Sequence, residues 1–81
     1  MTEECGLRLP LKLICRSLGD SKAEKIIRDD LMQRVWQKMP SINHIDSTEV
    51  PCLEEYIERI SPIEPVFAQK INEKISILCH A

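Results

Sequence analysis

A hydroxyl residue three positions ahead of a glutamate, just before apolar residues at helical spacing, constrains this chain more than any other feature. Ser21-Lys22-Ala23-Glu24 and Ser61-Pro62-Ile63-Glu64 both have that form. In it the hydroxyl accepts an orphaned backbone N–H while the carboxylate reaches back to the turn. Pro51 opens a third run, since proline is tolerated in the first turn of a helix, where its missing N–H has no partner to lose. The apolar spacing after each start predicts an all-α fold. The expected architecture is a compact four-helix domain with a short first helix, a long second helix and a helical hairpin at the C-terminus.

The first helix is the least determined. Leu7, Leu9, Leu11 and Leu13 alternate like a half-buried strand, while Leu11, Ile14, Cys15 and Leu18 recur like a helix. Pro10 favours the helix, because proline is disfavoured inside a paired strand. Gly19 then stands where a left-handed cap belongs. The expectation is a helix over 10–18, with 1–9 a flexible or extended N-terminal segment of one domain spanning 1–81.

The second helix is expected over 22–39, stopped by Pro40 and braced by the i, i+4 pairs Glu24 with Arg28 and Asp30 with Arg34. It carries two apolar rows, Ile27, Leu31, Val35 and Met32, Trp36, Met39, which is wider than packing on a single neighbour requires. Turn-forming residues fill 40–50, but Ile42 and Ile45 should pin that loop to the core. The third helix presents Leu53, Tyr56, Ile57 and Ile60. The fourth presents Phe67, Ile71, Ile75 and Leu78, reinforced by Ile63 and Val66.

With 81 residues there is room for one modest core, so oligomerisation is a natural way to bury more apolar area. Eleven basic residues against thirteen acidic ones are interleaved along the chain, which argues against a protein dedicated to nucleic acid. The run 7–15 is interrupted by Arg8, Pro10 and Lys12 and reads as neither export signal nor membrane span. Cys5, Cys15, Cys52 and Cys79 lack the close pairing of a cysteine metal site, so no metal or cofactor is expected, and reduced thiols suit a cytoplasmic protein. Cys79 and His80 would need distant partners to hold zinc.

His44, Asp46 and Ser47 share one loop, but a hydrolytic triad needs convergence in space and an oxyanion hole, which residues so close in sequence seldom achieve. Capping and turn formation account for Asp46 and Ser47. No catalytic residues are assigned, and with only Gly6 and Gly19 no phosphate-cradling loop can form.

The expected function is a non-enzymatic protein-protein interaction module: a regulator, adaptor, inhibitor or chaperone-like protein, in one form a homodimer. The partner-binding candidates are Met32, Trp36 and Met39, with Ile42, His44 and Ile45 as rim. Tryptophan concentrates at interface hot spots, and methionine adapts to irregular surfaces. Burial of the same row in the core is the competing reading. The alternative function is a small helix-turn-helix-like DNA-binding regulator, turning at Gly19, in which Lys22, Lys25, Arg28 and Arg34 meet phosphate.

Overall fold

The computed structural model describes residues 6–79. They form four α-helices: α1 (Arg8–Cys15), α2 (Lys22–Lys38), α3 (Val50–Ile60) and α4 (Pro65–Cys79). A single 3-10 turn, Met39–Ser41, follows α2, and no strand occurs among the described residues. The all-α, four-helix expectation therefore holds. Residues 1–5 of the expected N-terminal segment, and His80, lie outside the described residues.

Because α1 packs against both α2 and α3, it stands at the centre of the arrangement, and α3 packs in turn on α4. Leu11 and Ile14 of α1 meet Val35, Leu53, Ile57, Ile60, Phe67 and Ile71 in one aliphatic core. Phe67 is its one buried aromatic ring. The faces expected of α3 and α4 are largely the buried ones. Two members of the fourth stripe differ: Ile63 and Val66 lie before and at the start of α4 and are exposed, while Ala68 takes a buried place.

Helix α1 begins earlier and ends earlier than its sequence signals imply. Leu7 is fully buried with helical backbone angles, and the Leu11 N–H donates to its carbonyl at 3.1 Å, so residues 7–9 are a helical turn and not an extended lead. Burying Leu7 under the core outweighs proline's preference for the first position. Pro10 still sits in the first turn, where an N–H has no intrahelical acceptor. At the other end Arg16 shares its N–H between the Lys12 and Leu13 carbonyls, and the Ser17 N–H and hydroxyl both donate to Ile14 O. That tightened turn ends the helix at Cys15.

Gly19 accordingly forms no left-handed cap, and no glycine among the described residues has a positive φ. Its smallness has another use. The Glu24 carboxylate lies where a Cβ on Gly19 would be, and the Gly19 N–H donates to Glu24 Oε2 at 3.2 Å. Ser21 caps α2 as expected, accepting from the Glu24 N–H at 3.1 Å. The glutamate reaches past Ser21 to hold the preceding turn.

The second capping box does not form. Ser61 is the C-cap of α3, and the N–H groups of Ile63 and Glu64 both bond the Ile60 carbonyl, so the chain is still leaving α3 at that point. The start of α4 is set by Pro65 at its first position. Glu64 is drawn elsewhere.

Candidate functional site

Arg28 is where Glu64 goes. Its Nε donates to Glu64 Oε2 at 3.0 Å, and its Nη1 donates to the Ser17 carbonyl at 2.7 Å and to the Gly19 carbonyl at 3.4 Å. One guanidinium thus ties the exit of α1, the body of α2 and the approach to α4. The expected Glu24–Arg28 pair is replaced by this arrangement, because three acceptors in a buried site outbid one carboxylate at the surface. Of the two expected i, i+4 pairs, Asp30–Arg34 is the one that forms, at 3.1 Å and well exposed.

This placement bears directly on the phosphate-contact candidates. Lys22 and Lys25 are exposed, Arg34 is exposed and paired with Asp30, and Arg28 is buried, so the four do not make one basic face. An isolated arginine on a polar helix face carries no sequence signal of burial. Only its recurrence with Val35 at i+7 hints at an inward side.

Met32, Trp36 and Met39 follow Arg28 along the inner side of α2, each half-buried and packed against the core. The Trp36 ring meets Phe67 edge to face, centroids 5.2 Å apart and planes at 82°. This contact joins α2 to α4. Of the expected rim, Ile45 is a core residue at 5% exposure, Ile42 is half-buried beside Gly6, and His44 is exposed. The row is brought together, yet it faces inward as much as outward.

Below it the loop is fixed by Asp46. The Thr48 N–H and hydroxyl both donate to Asp46 Oδ1 at 3.0 Å. The backbone bond, the hydroxyl bond and then the nearby His44 imidazole hold this carboxyl below the usual aspartate range. Asp46 is thus a turn former, and the loop delivers Ile45 to the core.

The bare apolar surface lies on the other flank of α2. Leu9, Pro10 and Leu13 of α1 and Leu31 of α2 line a groove of about 540 Å3, with Arg34, Gln37, Lys38 and Ser41 along its edge. One turn before Leu31 on the same side, Ile27 is 53% exposed, and Leu9 is 54% exposed. The signal for this groove was present as the Ile27–Leu31 row and the leucine alternation in 7–13. Along the Ile27, Leu31, Val35 row burial deepens from an exposed Ile27 through a half-buried Leu31 to a fully buried Val35, a gradient that spacing alone does not encode.

Among the described residues no group of three or more His, Cys, Asp or Glu side chains is placed to hold a metal ion. Cys15, Cys52 and Cys79 are free thiols. No described helix is long and apolar enough to cross a membrane. No protein family, curated protein sequence or solved structure matches this chain.

Proposed function

We propose that this protein is a small non-enzymatic interaction module, a regulator, adaptor, inhibitor or chaperone-like protein that works by receiving a protein partner on an apolar helical surface. The observation that carries this reading is the α1–α2 groove, where Leu9 stands more than half exposed beside Pro10, Leu13 and Leu31, with Ile27, also more than half exposed, one turn beyond Leu31. A fold this small has little apolar area to spare, and contiguous exposed apolar surface is characteristic of interaction sites. Met32, Trp36 and Met39 serve this surface from behind, fixing α2 against the core, and their outer parts with Ile42 and His44 form a secondary contact region. A cytoplasmic setting suits the three free thiols.

The test compares capture from cell extract by the wild type and by a Leu9→Lys, Ile27→Lys variant whose helicity is checked by circular dichroism. Both side chains are already in solvent, so the variant should fold normally while losing the partners that the wild type retains. Identical capture by the two proteins would overturn the reading. Sedimentation of each protein alone reports self-association separately, and a wild-type dimer abolished in the variant would make the partner a second copy.

A further inference from the structure

Resting on the interaction-module reading, we propose that the α1–α2 groove receives an acidic amphipathic α-helix from another protein. Its shape suggests a helix. Leu9 and Leu13 lie one turn apart on the α1 wall, and Leu31, Arg34 and Lys38 follow at i, i+3 and i+7 on the α2 wall, so an apolar row and a wall that passes from leucine to cations frame a trough. A helix with apolar residues at i, i+4 and i+7 fills a trough of this kind.

Charge selects the character of that helix. Arg34 and Lys38 belong to the groove's lining, which contains no carboxylate. On α1 and its C-cap, Arg8, Lys12 and Arg16 recur every four residues, all exposed, on the stripe adjoining Leu9 and Leu13. Asp30 answers Arg34 at 3.1 Å, but that pair is open to water on both sides, and Lys38, Arg8, Lys12 and Arg16 remain as further cations. Carboxylates flanking a partner's apolar stripe would meet these cations, whereas lysines there would be repelled.

A second copy does not supply such a helix. Beyond residue 41 the only basic residues are Arg59, Lys70 and Lys74, and α3 carries Glu54, Glu55 and Glu58. That acidic helix has already committed Leu53, Ile57 and Ile60 to its own core. The exposed apolar residues of α4, Val66 and Ile77, stand three turns apart with Lys70 between them. Among the described residues, neither α3 nor α4 joins acid to a free apolar row.

The experiment selects a displayed library of helical peptides of about 16 residues, long enough to hold a helix when bound. Leucines are fixed at i, i+4, i+7 and i+11, and the flanking positions vary among Glu, Gln and Lys. Against the intact protein, Glu-flanked peptides should be enriched, and the best should weaken by about tenfold from low to physiological salt. Leu9→Lys should abolish binding, and Arg34→Glu with Lys38→Glu should shift the preference toward Lys. Enrichment of Gln- or Lys-flanked peptides in the groove would overturn the acidic partner while leaving the interaction module standing. Failure to enrich any peptide would overturn the acidic-helix proposal, while the capture comparison tests the interaction module on its own. Binding indifferent to Leu9→Lys, a dimer closed through the groove, or Leu9-dependent sedimentation with vesicles of equal parts phosphatidylserine and phosphatidylcholine would each overturn the acidic-helix proposal.

Discussion

The guanidinium of Arg28 and the carboxylate of Glu64 meet at 3.0 Å across thirty-six residues of chain, with the arginine side chain 7% exposed and the glutamate 25%. The contact does more than neutralise charge. The same guanidinium satisfies the Ser17 carbonyl, two residues past the end of α1, at 2.7 Å. A buried ion pair need not stabilise relative to an apolar replacement, but removing one partner strands the other.

Arg28→Ala should therefore cost about 3 kcal/mol, since it leaves both a carbonyl and a carboxylate without their donor. Glu64→Ala should cost less, as water reaches that side chain. At the exposed pair, Asp30→Ala should change stability by no more than about 0.5 kcal/mol. Urea denaturation of the three variants checks the order. Equal losses at Arg28 and Asp30 would mean that the guanidinium is not held as described.

Trp36 and Phe67 make the second tie between α2 and α4. Edge-to-face rings contribute about 0.5–1.5 kcal/mol beyond the area they bury, so a double-mutant cycle of Trp36→Leu and Phe67→Leu should return a coupling near about 1 kcal/mol. Zero coupling would indicate that the rings merely share the core. The result also bears on the Met32, Trp36, Met39 row, because a ring coupled to Phe67 is committed to holding the domain together.

The helices were legible because their signals are local. Ser21 and Glu24 declare the start of α2 within four residues, and Leu53, Ile57 and Ile60 recur as the inner face of α3 wherever that helix is placed. What could not be read depends on partners distant in the chain. Arg28 and Glu64 each sit in a plausible local motif, an i, i+4 pair and a capping box, and each abandons it for the other. The two rows of α2 were likewise visible, but which of them faces the core follows from the position of α3 and α4. The row named from sequence, Met32, Trp36 and Met39, is half-buried against the core, while the barer side chains Leu9 and Ile27 lie on the flank facing α1 and beyond it.

Cys15 and Cys79 should differ sharply in reactivity. Burial pushes the Cys15 thiol up, Arg59 offsets this in part and Glu55 adds to it, while its hydrogen points at the Tyr56 carbonyl, 3.7 Å from Sγ. Because the thiolate is the nucleophile, a raised and covered thiol is doubly protected. In a Cys5→Ser background, an alkylating reagent at mildly alkaline pH should modify exposed Cys79 first and Cys15 only on unfolding. The sign of the linkage follows: the folded state holds this proton more tightly, so stability should fall as pH rises through the ordinary thiol range. Early labelling of Cys15, read by peptide mass, would contradict the packing of α1 on α3.

Asp46 gives the opposite sign. Its folded carboxyl is depressed by the Thr48 N–H, the Thr48 hydroxyl and the His44 imidazole, in that order. The stabilisation it supplies is fully present above the unfolded value of about 3.9 and is lost as pH falls through the lower folded value. The Thr48 amide, which donates to Asp46 Oδ1, should report this directly by a proton chemical shift that titrates with a midpoint below about 3.9. Asp46→Ala should remove that titration and loosen the turn that carries Ile45 into the core, seen as faster amide exchange over 45–49. If the Thr48 shift instead titrated at or above the ordinary aspartate value, the carboxylate would not be holding the loop, and the anchoring of Ile45 would have to come from its burial alone.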